Sequence, residues 1–354
     1  MNHPPRAGTP RQAMILAAGV GERMRPLTDA RAKPSLPLMN RPLILHVLDH
    51  LSRHGVRKAV VNLHHQAGTL REAIEGNVPA DMEVAFSLEP VILGTAGGIR
   101  AALPHLDPGS PIFVVNADSF GDVDLASLGA AHEEARSSHG PPATLAVRGR
   151  SAGEPYAPIH LDDRGRVAGI AGVGETGEPV TFIGVHVLSP ETIDRIPRRG
   201  FSDIVRDVYV PMLREGRRLG AFRHAGFWIE IGSPALYLRA HLILLGERGF
   251  ISTLPSSCGS IMPGPRPSLV GKGSEGIDGS RIEESVLGAR CRIGEGAAIA
   301  RSVLFDHVVI GAGARIEECV VGDSVDVGAG SVLRSSLVLA PGREGSPNRV
   351  VPLR

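Results

Sequence analysis

Residues 15–34 read ILAAGVGERMRPLTDARAKP and join an apolar run to a basic loop. Residues 14–18 have the length and the aliphatic content of a buried strand. Gly19 and Gly21 follow directly, and backbone N–H groups at such a bare turn can approach an anion closely. Three cations come next, Arg23, Arg25 and Lys33. This combination predicts a phosphate-binding turn at the end of the first strand.

Two common nucleotide-binding motifs do not fit this stretch. Met24 stands where the dinucleotide fingerprint needs its third glycine, and the sequence here lacks the Gly-Lys-Ser/Thr of a nucleotide-hydrolase loop. A Gly-x-Gly alone would indicate only an ordinary turn with solvated cations. The interpretation as a phosphate site therefore depends on a longer pattern.

The first 250 residues alternate short apolar runs with segments of helical periodicity. Strands are expected at 14–18, 58–63, 83–88, 112–116, 143–147 and 181–188. Helices are expected at 42–54, 68–76, 95–106, 202–214 and 233–249. This alternation predicts an α/β fold, with a Rossmann-like, mostly parallel sheet flanked by helices.

The bulk composition excludes several classes of protein. The chain has 354 residues, 42% of them hydrophobic, and a net charge of +1, so no overall field draws it to nucleic acid or an anionic membrane. Cys258, Cys291 and Cys319 have no metal-ligand spacing and suit a reducing compartment. Residues 1–12 lack the apolar core of a signal peptide. We therefore expect a cytoplasmic protein that binds neither nucleic acid nor membrane.

After residue 266 the sequence repeats with a period of seventeen. Successive rows are ESVLGARCRIGEGAAIA from 284, RSVLFDHVVIGAGARIE from 301 and ECVVGDSVDVGAGSVLR from 318. Aliphatic residues recur at steps of six, six and five, which neither an amphipathic helix nor a flat sheet produces. Three short strands per coil, each with one inward side chain, explain this period. The pattern resembles the hexapeptide-repeat left-handed parallel β-helix, and its handedness is implied by that resemblance alone.

The longer pattern of the basic loop is Gly19-x-Gly21-x-Arg23-x-x-x-Leu27-Thr28, which closes on Lys33-Pro34. It resembles the N-terminal motif of the sugar-1-phosphate nucleotidyltransferases, and the resemblance covers residues 13–250. Further matching segments are EP (89–90), LGTAGG (93–98), VVNAD (114–118), TFIGV (181–185) and GFWIEIGSP (226–234). A hexapeptide β-helix is a frequent companion in this family. Its mannose-1-phosphate guanylyltransferases often combine the same two parts.

The resemblance implies the reaction of an NTP with a sugar 1-phosphate to give an NDP-sugar and pyrophosphate. It implies three catalytic residues: Arg23 at the β and γ phosphates, Lys33 at the α-phosphate, and Asp118, which with Glu230 would hold Mg²⁺. The implied nucleotide-binding residues are Leu16, Ala17, Ala18, Gly19, Gly21, Glu89, Gly94 and Thr95. The residues implied for the sugar phosphate are Asn116, Gly184 and Trp228.

Two departures from the family pattern concern the metal site and the sugar phosphate. Glu230 stands where the family usually has aspartate, and the lysine of a Glu-Lys-Pro element that contacts the sugar phosphate has no counterpart. Arg148, Arg150 and Arg223 are the candidate replacements for that lysine. Mannose-1-phosphate guanylyltransferase is the first prediction. The alternatives are a uridylyltransferase for an amino-sugar, muramic acid or glucose 1-phosphate, and a catalytically weak regulatory or scaffold subunit.

The predicted organisation has five parts. A disordered tail occupies 1–12, the nucleotidyltransferase domain 13–250, a Ser/Pro/Gly-rich linker 251–266, the β-helix 267–340 and a C-terminal tail 341–354. The open rungs and flat faces of a β-helix favour packing between subunits, so we expect a homo-oligomer formed through it.

Overall fold

The computed structural model describes residues 9–137, 142–151, 153–174, 176–341 and 347–353. Residues 1–8 of the predicted tail lie outside this range, but Thr9 is buried and Gln12 begins the first strand. The Gln12 side chain donates to the Asp107 carbonyl and accepts from the Asp107 N–H, each at 2.8 Å. These reciprocal bonds attach the start of the strand to the fold. None of the described helices is both long and apolar enough to cross a bilayer.

Strands and helices alternate through most of residues 12–137, as predicted, whereas the described part of 142–188 contains strands and loops without a helix. The strands are β1 (Gln12–Leu16), β2 (Pro37–Leu38), β3 (Arg41–Pro42), β4 (Lys58–Leu63), β5 (Glu83–Leu88), β6 (Ile112–Asn116), β7 (Ser119–Gly121), β8 (Ala143–Gly149), β9 (Ile159–Leu161), β10 (Val167–Ile170), β11 (Glu178–Leu188), β12 (Gly220–Arg223) and β13 (Trp228–Glu230). The helices are α1 (Leu43–Arg53), α2 (Ala67–Ile74), α3 (Gly94–Ala102), α4 (Leu125–Ser137), α5 (Pro190–Ile193), α6 (Val210–Arg214), α7 (Pro234–Gly246) and α8 (Arg248–Ile251).

The main sheet runs in the order β10-β9-β11-β6-β1-β4-β5, with β8 beside β11 and β12 beside β8. The neighbours β6, β1, β4 and β5 are parallel, and α1, α2 and α3 lie in the crossovers that parallel strands require. β11 returns antiparallel against both β6 and β8. The Rossmann-like fold predicted from the sequence is confirmed.

Both faces of the sheet are buried, which determines where a ligand can enter. Ala13 and Ile15 of β1 pack into one apolar cluster, while Met14 between them packs into another. At the carboxyl end of β1, Leu16 pairs with Asn116 of β6. In α/β sheets, ligands bind in the crevice outside these carboxyl ends.

Most of the C-terminal strands stack as coils of a parallel β-helix, and the first and last of them pair with its ends. They are β14 (Ser260–Met262), β15 (Ser268–Val270), β16 (Arg281–Glu283), β17 (Val286–Leu287), β18 (Arg292–Ile293), β19 (Ala298–Ala300), β20 (Val303–Leu304), β21 (Val309–Ile310), β22 (Arg315–Glu317), β23 (Val320–Val321), β24 (Asp326–Val327), β25 (Val332–Arg334), β26 (Ser336–Leu339) and β27 (Arg349–Pro352). Leu287 pairs with Leu304, and Leu304 with Val321, so that buried aliphatic side chains repeat from coil to coil. The coil architecture inferred from the repeat is confirmed.

Two segments expected to be irregular carry strands at the ends of this domain. β14, within the predicted linker, pairs antiparallel with β15, and β27, within the predicted tail, pairs antiparallel with β26. Each strand covers backbone groups that the first or last coil would otherwise leave unpaired. Their Ser, Pro and Gly content is typical of loops, which is why the sequence did not predict them.

Contacts between residues divide the chain into two units whose boundaries differ from those of the predicted domains. Within the described residues, the first unit comprises 9–20, 32–34 and 44–229, and the second comprises 21–31, 35–43 and 230–353. The basic loop is therefore divided. Most of it belongs with the β-helix, while Lys33 belongs with the sheet.

Candidate active site

A cavity of about 270 Å³ opens in the first unit at the carboxyl ends of β1 and β6. Eight residues predicted from the sequence line it: Leu16, Ala18, Gly19, Glu89, Gly94, Thr95, Asn116 and Asp118. A Cβ added at Gly19 would meet no other atom within 4 Å, so this glycine is not needed for internal packing. It leaves the backbone open to a bound group instead.

Lys33 and Asp118 form an ion pair at this site. Lys33 Nζ donates to Asp118 Oδ2 at 3.0 Å across 85 residues of sequence. The Lys33 side chain is 9% exposed, whereas that of Asp118 is 42% exposed. The Asp118 carboxylate therefore faces solvent, and it compensates the charge of the Lys33 ammonium group, which is largely withdrawn from solvent. The two residues predicted to act on phosphate and metal are thus brought together.

Asn62 links two parts of the nucleotide site, and the sequence reasoning missed it. Its Oδ1 accepts from the Ala17 N–H at 2.6 Å, and its Nδ2 donates to Glu89 Oε1 at 2.7 Å. Glu89 Oε2 accepts from the Leu93 N–H at 3.0 Å, and Glu89 is 1% exposed. Both Glu89 oxygens are therefore used inside the fold, where they hold the loop before α3 against the first strand. An asparagine near a strand end gave no motif by which to find it.

Residues 200–204 contact the start of α3, although about 100 residues separate the two segments in the sequence. Thr95 Oγ1 donates to Asp203 Oδ2 at 3.1 Å and accepts from the Ile204 N–H at 2.8 Å. The Ser202 carbonyl accepts from the Ala96 N–H at 3.0 Å. The Thr95 hydroxyl, predicted to bind nucleotide, thus already has partners within the protein. Asp203 is a second residue that the sequence reasoning missed.

Of the residues predicted to face the sugar, Asn116 lines this cavity and Gly184 contacts Asn116, whereas Trp228 lines a separate cavity. Gly184 has a φ of +76°, and a Cβ there would lie 2.7 Å from Asn116 Nδ2, so only glycine fits. Trp228 Nε1 donates to the Ile183 carbonyl at 3.1 Å. Asn116, Gly184 and Trp228 are therefore linked by contacts through β11.

Arg148 stacks on Trp228. This contact distinguishes it from Arg150 and Arg223, the other two candidate cations for the sugar phosphate. Its guanidinium lies 5.0 Å from the centroid of the indole ring, and Nη1 is 2.9 Å from Glu154 Oε1. Arg150 instead donates to the Glu154 carbonyl at 2.9 Å. Arg223 forms an exposed bidentate ion pair with Glu178.

Glu154 holds Arg148 in place as a carboxylate. Burial alone would raise the pKa of Glu154. Hydrogen bonds from the Thr181 hydroxyl, the Ser151 N–H and Arg148 outweigh it and lower the pKa from the usual 4.5 to about 2. The carboxylate is therefore charged throughout the neutral range, and the stacked guanidinium keeps its counter-charge.

The second unit contains three further predicted site residues, Gly21, Arg23 and Glu230. Arg23 Nη2 lies 3.4 Å from Glu230 Oε1, with side-chain exposures of 69% and 13%. The Thr28 hydroxyl donates to the Gly21 carbonyl at 2.9 Å and closes the turn that carries Arg23. Gly21 itself has a φ of +68°. Arg23 is thus an exposed cation on a compact turn.

The fit of a magnesium ion to this cavity depends on the carboxylate of Asp118. Within the described ranges, no group of three or more His, Cys, Asp or Glu side chains could hold a metal ion. Mg²⁺ is commonly bound through one or two carboxylates, with substrate phosphates and water as the remaining ligands. The half-exposed carboxylate of Asp118, on the wall of the cavity, fits that kind of site.

Comparison with known protein families agrees with this geometry. A family model described as nucleotidyl transferase matches residues 12–247, and one described as the EIF2B subunit epsilon LbH domain matches residues 265–350. The chain therefore belongs to the nucleotidyl transferase family. Its C-terminal domain is a left-handed parallel β-helix, which confirms the predicted handedness. Members of the family generally use a divalent metal ion.

Several similar proteins carry the name mannose-1-phosphate guanylyltransferase. The catalytic subunit beta of Dictyostelium discoideum is 28% identical over 64% of this chain and 62% of its own length. The probable mannose-1-phosphate guanylyltransferase 2 of Arabidopsis thaliana is 30% identical over 71% of each chain. The crystal structure of HddC from Yersinia pseudotuberculosis is similar in fold, with a TM-score of 0.53 and 22% identity over 65% of this chain and 97% of that one.

Proposed function

We propose that this protein transfers a nucleotidyl group from an NTP to a sugar 1-phosphate and releases pyrophosphate. The observation that carries the proposal is the cavity lined by the predicted nucleotide-binding residues, with the Lys33–Asp118 pair at its wall. The family to which the chain belongs supports the same reaction class. Mannose 1-phosphate and GTP are the first candidate substrates, because the similar proteins are named mannose-1-phosphate guanylyltransferases.

The reaction needs charge compensation more than proton transfer. The phosphate of a sugar 1-phosphate has its second pKa near 6, so about nine tenths of it is dianionic at neutral pH and nucleophilic without a protein base. One of its oxygens attacks the α-phosphorus of the NTP, and the bond to the β-phosphate oxygen breaks to release pyrophosphate. In the proposed assignment, Lys33 compensates charge at the α-phosphate and Arg23 at the departing phosphates.

Magnesium is the proposed metal, with Asp118 and Glu230 as its protein ligands. When bound, it would neutralise phosphate charge and restrict the orientation of the phosphate groups. The Lys33–Asp118 pair keeps both charges compensated before substrate arrives. Arriving phosphates would offer the Lys33 ammonium group a second anionic partner, and the Asp118 carboxylate would then be available to hold the metal.

The proposed reaction is tested by measuring pyrophosphate release for the four NTPs against several sugar 1-phosphates with Mg²⁺. Release should be fastest with GTP and mannose 1-phosphate. A maximum with UTP and an amino-sugar, muramic acid or glucose 1-phosphate would select the uridylyltransferase alternative. Release from none of the pairs would contradict the proposal and favour a regulatory or scaffold subunit. The Arg23–Glu230 ion pair is the observation that favours the regulatory or scaffold alternative. In this pair, two residues predicted to act on phosphate and metal are bound to each other.

Of the three candidate cations, Arg148 is the one we assign to the sugar site. Arg148→Met should raise the KM for the sugar 1-phosphate about tenfold, because the loss of a charged contact typically costs about 1.5 kcal/mol or more. The KM for the NTP should change less than about twofold, within the effect of an unrelated surface substitution. Arg223→Met, which removes an exposed and separately paired arginine, is the matched control.

Trp228 provides an independent measurement, since it is the only tryptophan in the chain. Saturation with the sugar 1-phosphate should change the tryptophan emission of the wild-type protein, and Arg148→Met should weaken that titration. An Arg148→Met protein with unaltered sugar KM and titration would contradict the assignment.

Three further expectations also stand as proposals. We propose a homo-oligomer formed through the β-helix, a cytoplasmic location, and functional domains at 13–250 and 267–340. The exposed flat faces of the coils support the first of these.

A further inference from the structure

The segments on either side of Lys33 in the sequence both belong to the unit that contains the β-helix. These flanking segments are Gly21–Arg31 and Ser35–Leu43, and Lys33 lies in the three residues between them. The first carries Arg23 of the phosphate motif. Side-chain contacts join each flanking segment to the β-helix or to the residues that lead into it.

The first flanking segment is attached through Arg31. Arg31 Nη2 donates to Asp323 Oδ2, across 292 residues of sequence, and the Arg31 guanidinium lies 5.8 Å from the centroid of the Phe305 ring. Phe305 is 4% exposed, so the guanidinium rests on a fixed surface of the coils. Arg349 of β27 lies 4.0 Å from Asp29 on the same segment. An isolated ion pair of this exposure would contribute little, but here the charge is also held by the ring.

The second flanking segment is attached through Asn40. Its Nδ2 donates to the Leu287 carbonyl of β17 at 2.7 Å and to the Cys258 carbonyl at 2.9 Å. Asn40 has a φ of +61°, at the turn between β2 and β3. A residue that tolerates this backbone conformation and carries an amide donor suits the position.

The first segment is also rigid enough to transmit these contacts to Arg23. Backbone N–H groups of Met24, Leu27 and Asp29 donate to the carbonyls of Gly21, Met24 and Pro26 at 2.9 to 3.1 Å. The Thr28 hydroxyl closes the turn onto Gly21, and Met24 is fully buried. A displacement at Arg31 would therefore move the turn that carries Arg23.

We propose that the β-helix is a positioning element for the nucleotide-phosphate motif, acting through the Asp323–Arg31 contact and the Asn40 contacts. This inference rests on the proposed function of Arg23 and Lys33. With this role, the C-terminal domain contributes to the reaction itself. Self-association through the β-helix would not by itself provide such a contribution. Arg31, Asp323 and Asn40 are positioning residues.

The test is a charge exchange between Arg31 and Asp323. Arg31→Asp and Asp323→Arg should each lower kcat/KM for the NTP about tenfold, and the double variant should recover to within about threefold of wild type, as expected for residues in direct contact. Arg334→Glu, in an ion pair elsewhere on the β-helix, is the control and should keep wild-type kinetics. Equal losses in the single and double variants, or no loss in either single variant, would overturn the inference.

Asn40 gives a second comparison with the backbone preserved. Asn40→Gly keeps the positive φ but removes the amide, whereas Asn40→Asp sets a carboxylate against two carbonyl oxygens. Both should raise the KM for the NTP, and Asn40→Asp more strongly. A KM equal to that of the wild type in both variants would count against this contact.

Hydrogen exchange separates failure of this inference from failure of the proposed function. The amides of Met24, Leu27 and Asp29 should exchange about tenfold faster in each charge-reversed single variant and regain protection in the double variant, because local opening governs their exchange. This result is independent of turnover. Unchanged protection in the single variants would overturn the inference even in an active enzyme, and regained protection in the double variant would support it even if no substrate pair released pyrophosphate.

Discussion

Asp118→Asn is expected to lower kcat by about 10²–10³-fold, the range observed when one preorganised electrostatic contact to a transition state is removed. The asparagine keeps the shape of the side chain on the cavity wall but loses the charge that would hold a divalent cation. It also leaves the ammonium group of Lys33, whose side chain is 9% exposed, without its counter-charge. The measurement is pyrophosphate release across a range of Mg²⁺ concentrations.

Asp122→Asn is the matched control for this substitution. Asp122 lies four residues further along the chain and is half exposed, with His224 at 3.3 Å. Its variant should turn over at close to the wild-type rate. If Asp118→Asn retained wild-type kcat and wild-type dependence on Mg²⁺, Asp118 would have no part in the reaction.

Lys33→Met is expected to have a similarly large effect, with kcat lower by about 10²–10³-fold. Methionine approximates the length and the apolar stem of lysine, so the substitution removes the charge at the smallest cost in packing. Lys33 is mostly withdrawn from water, and its charge therefore interacts with phosphate more strongly than a solvated lysine does. Initial rates with saturating NTP and sugar 1-phosphate give the measurement.

Lys58→Met controls for the loss of a lysine as such. Lys58 pairs with Glu83 at 3.6 Å, and its side chain is 37% exposed. The variant should retain activity and thermal stability close to those of the wild type. Activity of Lys33→Met within about threefold of the control, far less than the loss of a preorganised contact produces, would remove Lys33 from the mechanism.

Sequence patterns predicted a strand or helix accurately where its own residues determine it, independently of distant parts of the chain. β4, β5 and β6 begin and end at the expected residues, because each is a short, mostly apolar run with polar or turn-forming flanks. The β-helix was predicted from a seventeen-residue period, since each coil repeats the same inward positions. β14 and β27 were not predicted, because their strand character depends on pairing with a neighbouring coil rather than on their composition.

The candidate site was predicted in part for the same reason. The cavity residues were implied by the family motifs, which lie at strand ends and glycine turns, and eight of them line one cavity. The residues that hold the site in shape were not predictable. Asn62 bonds Ala17 at a separation of 45 residues, and Thr95 bonds Asp203 at a separation of 108. Neither pair leaves a pattern along the chain.

The sequence by itself determined the α/β fold, the coil repeat and the glycine turn after the first strand, because apolar periodicity and glycine placement act over a few residues. Only the tertiary structure decided which side chains meet. It paired Lys33 with Asp118, placed Arg148 rather than Arg223 on Trp228, and attached Arg31 to Asp323. These pairings arise from the packing of elements that are distant in the sequence. A polar or charged group withdrawn from water needs a hydrogen-bond or charge partner, and the packing decides which residue provides it.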